Sequence, residues 1–500
     1  MDGTWDLTGL YRALEDPAIE KDKLSASQLA GKLKVNPGRT SLRRRFSQLT
    51  EKLSAYAYLL ASVNLGNQKV LNFSKNLQEY ITGLSQRLPA ASDEAGNPAV
   101  CLEYDRLLNL ENLRPGYTKQ LYHGDEGVRR EAFRALEKGG LKFGDTVTGL
   151  YNQHLSHGAD SRGITDTMAA REQAAAENGF SVEEIDTFIS AVEGNTALPG
   201  FFYQKKARFL GKEQIDPWDI FAPTLPERNI SWDQARRYAL GTADALGADA
   251  GAAASRFFKN RWIDYSIRPE KRGGAFTHPG FSSHHPYIFL NFSGSLRDTM
   301  TLIHELFHGI HFSMARGGTR DGIMPTVAQT EAVSSIGELM SRGVVDEPGI
   351  GFHLAEMTLL KIFRQVQLFR WEESASAVYR KRGHCSRKDL SRLWIERMNC
   401  FFGNGVPFPD SYRGFWIYVP HFFHFPMYGL NYALGTAAAL VFMKVYRENP
   451  KKTGRLFRDF LSAGGNAALS EWITSLVPGH SLGEVTRECF DEIQSMIKSS

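Results

Sequence analysis

The residues with the clearest chemical content lie in one short stretch, Thr299-Met300-Thr301-Leu302-Ile303-His304-Glu305-Leu306-Phe307-His308-Gly309-Ile310-His311-Phe312. His304 and His308 stand four residues apart. On a helix this spacing puts both imidazoles on one face, one turn apart, where their nitrogens can grip one zinc ion. Glu305 is rotated by one residue from the first imidazole, so it can act as a base on water without filling a coordination position. Met300, Ile303, Phe307 and Ile310 supply an apolar stripe to bury the helix. Ser295-Leu296-Arg297-Asp298 reads as a capping box that starts it. The competing reading is a buried helix with satisfied histidines.

A zinc peptidase needs a third protein ligand and leaves the fourth position to water. Pro325 can open a second helix at its first position. That helix carries Glu331-Ala332-Val333-Ser334-Ser335-Ile336-Gly337-Glu338, whose two carboxylates are seven residues apart and share a face. His311 follows His308 by only three residues and does not fit a third-ligand role. Glu331 is the expected third ligand. Glu338 is expected to orient a ligand histidine through its ring N–H, with a packing carboxylate as the alternative.

A third segment runs from Tyr418 to Gly435 and contains His421, His424, Tyr428 and Tyr432. Pro426 suggests a helix start, which places the two tyrosines on one face. Peptide hydrolysis passes through a tetrahedral oxyanion, and tyrosine hydroxyls and imidazole N–H groups are suitable donors to it. An aromatic core helix with two local histidines is the alternative.

The elements that must hold these groups are mostly helical. Residues from about Ser47 to Leu88 and from Val128 to Leu136 carry apolar positions at helical spacing. A turn-rich linker is expected over Pro89–Pro98, and a second break near Ser156–Gly163. The strongest strand signal is Pro286–Phe292, preceded by a glycine loop at Gly273-Gly274. The expected class is mainly α with a small sheet, organised as an N-terminal helical region over 1–160 and a catalytic region over 161–500.

At 500 residues, the chain is long enough for two or more subdomains, and its 42% hydrophobic and 23% charged content is that of a soluble globular protein. A net charge of +4 does not indicate nucleic acid. The basic cluster of Lys32, Lys34, Arg39 and Arg43-Arg44-Arg45 reads as a solvated helix face, with no nucleic-acid module beside it. Cys101, Cys385, Cys400 and Cys489 are scattered, form no CxxC pair and suit a reducing cytosol. The opening Met1-Asp2-Gly3-Thr4-Trp5-Asp6 lacks a basic region followed by an apolar core, so no secretory leader is expected. Met427–Phe442, the most apolar stretch, is shorter than the roughly 20 residues that span a bilayer and is read as a buried helix. The expectation is a cytoplasmic protein with no membrane partner.

The three segments together resemble the oligoendopeptidase F group of the thimet-oligopeptidase family. Further segments are similar in order: Trp5–Tyr11, Asp166–Arg171, Pro217–Pro223, Arg261–Asp264, Lys271–Phe276, Pro286–Phe292 and Gly294–Asp298. The resemblance implies a mainly helical body around a deep substrate channel, with a small sheet beside the zinc helix. It also implies cleavage of short unstructured peptides, because a narrow channel excludes folded proteins. The strand at Tyr287–Phe292 would then offer its edge to an extended substrate. The family's ligands fall on His304, His308 and Glu331, for one zinc per chain, and its base on Glu305. Its oxyanion donors fall on His421 or His424, Tyr428 and Tyr432. The chain departs from the family at Phe307, where glycine is usual, and at Leu430, often a tyrosine. Phe307 is expected to narrow the cleft or alter how the helix packs.

The expected function is therefore a zinc oligopeptidase cutting internal bonds, with Glu305 as general base on the attacking water. One rival is a carboxypeptidase or dipeptidyl carboxypeptidase of the same architecture, which needs a cationic group closing one end of the channel. The other is a non-catalytic peptide-binding scaffold, for which an intact HExxH with Glu331 has no use.

Overall fold

The computed structural model describes residues 3–36, 39–86, 88, 98–110, 113–162, 167–225, 228–280, 284–318, 324–403, 406 and 408–499. Of the linker expected over Pro89–Pro98, all but Pro98 lies outside them, as do Gly163 and Asp166; Pro98 instead begins the helix Pro98–Leu110. The fold is mainly α with a small three-stranded sheet, as the periodicities imply. Two compact units each draw on separated stretches of the chain. One comprises Met1–Asp93, Arg228–Pro325 and Arg458–Asn466; the other comprises Glu94–Glu227, Thr326–Phe457 and Ala467–Ser500.

In the first unit the strands are β1 (Ile263–Asp264), β2 (Phe276–His278) and β3 (Tyr287–Phe289), in the order β1-β3-β2. β3 pairs with β1 in parallel and with β2 in antiparallel fashion. It is thus shorter than the Pro286–Phe292 stretch and central, and the expectation that it offers a free edge is corrected. Its N–H and C=O groups are taken by two neighbours, leaving β1 and β2 as the edges. Trp5 lies against β3, with ring centroids 6.0 Å from Tyr287 and 5.9 Å from Phe289. Leu53, Tyr56 and Leu59 of helix Thr40–Ser62 join the same core.

The His304 helix spans Leu296–Gly318. Its start is the expected box: the Asp298 N–H donates to Ser295 Oγ at 3.0 Å, and the Asp298 carboxylate accepts from the Ser293 and Ser295 N–H groups. Ile303, Phe307 and Ile310 are buried, as the apolar stripe requires. Phe307 is a core side chain with no solvent-exposed surface, so its role here is in packing.

In the second unit helix Glu126–Arg162 runs unbroken through the stretch expected to interrupt it. Gly158 alone costs a helix only about 1 kcal/mol relative to alanine, and no proline stands there to block it. The Glu331 helix is Val327–Ser341. Thr326, not Pro325, opens it: its Oγ1 accepts from the Gln329 N–H, and the Gln329 side chain accepts from the Thr326 N–H. The tyrosine helix is Gly429–Glu448. It begins three residues later than Pro426 suggests, because Met427 takes the left-handed conformation, with φ 61°, and breaks the helical path. Its residues from Ala433 to Phe442 are buried, and no helix among the described residues is long and apolar enough to cross a membrane. All four cysteines are free thiols.

Candidate active site

In the first unit the helix brings His304 and His308 together as their spacing requires, with their Nε2 atoms 3.0 Å apart and their rings nearly perpendicular. Two nitrogens bound to one tetrahedral zinc at 2.0–2.1 Å would lie about 3.3 Å apart, so the pair is already close to chelating geometry. Glu305, one residue on, is held from the sheet. Thr277 Oγ1 of β2 lies 2.7 Å from its carboxylate and 2.8 Å from its backbone carbonyl oxygen. β2 is an edge strand, so the sheet positions the Glu305 side chain directly. His311 points elsewhere. It is fully buried beside Phe312 and Phe460, and burial alone pulls its pKa down to about 3. A neutral core histidine results.

In the second unit Glu331 is buried on a helix packed closely against the tyrosine helix. They come close at Gly435, where a Cβ would collide with the Ala328 carbonyl and the Ala332 N–H and press on the Glu331 side chain. Asn178 ties the two helices together. Its Nδ2 donates to Asn431 Oδ1 at 3.0 Å, and its Oδ1 accepts from Thr326 Oγ1 at 3.1 Å. Asn431, the polar residue inside the apolar stretch, thus has a defined partner. Glu338 forms a 2.7 Å ion pair with the buried Lys361.

His421, Tyr428 and Tyr432 form a cluster: the two tyrosine centroids are 4.9 Å apart, and His421 lies 6.0 Å from each. All three are half-buried, whereas Leu430, Ala433 and Leu434 between and beyond them are in the core. His424 faces away from this cluster and sets its Nε2 3.2 Å from Asp105 of helix Pro98–Leu110.

Sequence reasoning missed Thr277, Asn178, Lys361 and Glu372. The Glu372 carboxyl group accepts from the Met427 N–H at 2.9 Å. Each acts across a long sequence separation, and none sits in a motif. Only the polar Asn431 in an apolar run pointed to a buried partner.

Residues 248–344, which contain the sheet and the His304 helix, match the sequence profile described as Peptidase family M3. By this likeness the chain is a metallo-endopeptidase similar to that family. The chain is 23% identical over 470 residues to Oligopeptidase PepF of Bacillus subtilis (strain 168), covering 91% of this chain and 67% of that protein. It is 22% identical over 434 residues to Group B oligopeptidase PepB of Streptococcus agalactiae serotype III (strain NEM316), covering 83% and 71%. It thus spans about two thirds of the length of these relatives. The fold is shared with PZ peptidase A solved with an inhibitor, at a TM-score of 0.73 and 16% identity over 98% of this chain and 99% of that one.

Proposed function

We propose that the chain is a zinc-dependent oligoendopeptidase that hydrolyses internal bonds of short unstructured peptides. The observation that carries this reading is the pair of imidazole nitrogens 3.0 Å apart on a helix whose intervening glutamate is held by Thr277. Glu331 is the proposed third ligand, completing two imidazoles and one carboxylate, a donor set suited to catalytic zinc. Among the described residues the other group of donors that could hold a metal is Glu126, Asp216 and Asp219. There Lys212 Nζ already lies within 3.0 Å of all three carboxylates, and Arg129 also pairs with Asp219. Those ammonium and guanidinium charges stand where a cation would have to go, so the His304 group is preferred.

A zinc ion in this donor set supplies acidification of water and polarisation of the scissile carbonyl. Glu305 is the base that takes the proton from water and hands it to the leaving amine. Tyr428, Tyr432 and His421 are the proposed donors to the oxyanion. His424, engaged by Asp105, is set aside from that role. The catalytic region is taken as 161–500, and the free thiols suit the cytoplasm.

The test combines metal analysis with mass spectrometry of products from a mixed peptide set. One zinc per chain, activity lost on chelation, and internal cuts in short peptides but not in a stably folded protein are expected. Glu305→Gln should keep the zinc and lose nearly all hydrolysis. Release of C-terminal residues or dipeptides alone would favour the carboxypeptidase reading. A chain fully active without metal would end the zinc assignment.

A further inference from the structure

The turn that presents the tyrosines is built in an unusual way. Met427 immediately precedes Tyr428 and is one of two described non-glycine residues with positive φ, at 61°. For an L-residue that conformation costs roughly 1–2 kcal/mol, so it persists only where the surroundings enforce it. Tyr428 is the N-cap residue of the tyrosine helix and offers no side-chain cap to anchor it.

Helix Gln365–Arg382 supplies the enforcement at three points. The Trp371 ring stacks on Phe422 with centroids 4.1 Å apart and planes 16° from parallel. The Gln365 carbonyl lies so close to Gly429 that a Cβ there would come within 2.5 Å of it. Between these two contacts, the Glu372 carboxyl accepts the Met427 N–H at 2.9 Å. This is a direct tether on the left-handed residue itself.

We propose that Glu372 is a positioning residue for catalysis: its buried carboxyl holds Met427 in the left-handed turn and so fixes Tyr428, Tyr432 and His421 as one donor cluster. This inference rests on the oxyanion role proposed for those three residues. Burial pushes the Glu372 carboxyl up to about 8. At neutral pH it is therefore mostly protonated and accepts the N–H without placing a full charge in the core. Its sequence neighbour Glu373 is engaged differently, by Arg171 and Arg370. One carboxyl pair on the same helix thus serves two purposes.

The test uses the full chain loaded with zinc and the variants Glu372→Gln, Glu372→Leu, Met427→Gly and the Glu372→Leu/Met427→Gly double variant. Hydrogen exchange over residues 425–432 is measured beside kcat, KM and Tm. Glu372→Gln keeps an acceptor and should retain exchange protection and kcat. Glu372→Leu removes it; exchange over the turn should rise, and kcat should fall on the order of 10²-fold at little-changed KM, as a displaced catalytic group does. Glycine adopts positive φ freely, so Met427→Gly should recover most of that kcat in the double variant. A merely structural role predicts instead that activity follows Tm and that Met427→Gly restores nothing. Unchanged exchange over the turn in Glu372→Leu overturns the tether. Raised exchange with normal kcat, while Tyr428→Phe and Tyr432→Phe lower kcat, overturns the positioning role. Raised exchange with normal kcat in all of these variants removes the oxyanion role beneath it and leaves Glu372 as a tether of the fold alone.

Discussion

Thr277 Oγ1 and the Glu305 carboxylate lie 2.7 Å apart, a hydrogen bond from an edge strand to the residue between the two histidines. The same hydroxyl lies 2.8 Å from the Glu305 carbonyl oxygen, so it fixes the backbone and the side chain of one residue. Thr277→Val keeps the shape of the side chain and removes only the donor. A hydrogen bond to a charged group is worth about 1.5–3 kcal/mol, which corresponds to a fall of roughly 10–100-fold in kcat. Zinc content and KM should hold, and Thr277→Ser should restore most of the rate. Full turnover in the valine variant would show that Glu305 needs no help from the sheet.

The HExxH segment was legible because its chemistry and its scaffold share one period. The spacing that pairs His304 with His308 also generates the stripe of Met300, Ile303, Phe307 and Ile310. Helix boundaries were read less well where backbone conformation overrode residue type. Pro426 suggested a start, yet the left-handed Met427 delays the helix to Gly429. The strand at Tyr287–Phe289 was visible in its composition, but its central place depends on β1 and β2, which are only two and three residues long. Segments that short carry no periodicity of their own. Thr277, Asn178 and Glu372 were invisible for a related reason: each acts through one hydrogen bond to a residue distant in the chain.

Gly435 tests whether close packing of two helices sets the proposed third ligand, Glu331. A Cβ there meets the Ala328 carbonyl, the Ala332 N–H and the Glu331 side chain. Gly435→Ala should force the helices apart at a cost of about 1–3 kcal/mol, as overpacking does, and should weaken zinc binding because Glu331 moves. Gly454 lies in helix Pro450–Ala463 with open space around its Cα, so Gly454→Ala should instead stabilise by about 0.4–1 kcal/mol. Thermal melts and zinc titrations of both variants check the contrast. Equal zinc affinity in wild type and Gly435→Ala would remove the link between this contact and the ligand.

The buried Glu372 should leave a mark on stability as pH changes. Its carboxyl titrates at about 8 in the folded chain, against an ordinary value of 4.5, chiefly through burial. Between these values the folded state holds a proton that the unfolded chain has released, so stability falls as pH rises. The contribution is fully present below the unfolded value, is lost as pH rises through the folded one, and is flat above it. Other groups add slopes of their own, so the readout is the difference between wild type and Glu372→Gln, which cannot ionise. In denaturant titrations from about pH 5 to about pH 9, wild-type stability should decline relative to the glutamine variant and then level off. A constant difference across that range would mean the carboxyl is ionised in the fold.

Tyr428 and Tyr432 carry the least direct part of the proposed mechanism. Unlike the sealed Leu430 and Leu434, both are half-buried, with centroids 4.9 Å apart and His421 6.0 Å from each. Replacement by phenylalanine keeps the ring contacts and removes only the hydroxyl. Loss of one oxyanion donor typically costs about 10²–10³ in turnover. The loss should appear in kcat rather than KM, because the donor acts mainly in the transition state. Tm should hardly move, since the rings and their packing remain. His421→Ala should behave similarly, whereas His424→Ala should mainly lower Tm, since that ring is engaged by Asp105 rather than by the tyrosines. If both Tyr→Phe variants turn over normally, the hydroxyls have no part in the reaction, and stabilisation of the oxyanion falls to the metal and His421. If one variant alone is impaired, the donor is that tyrosine, and its neighbour serves to hold the ring in place.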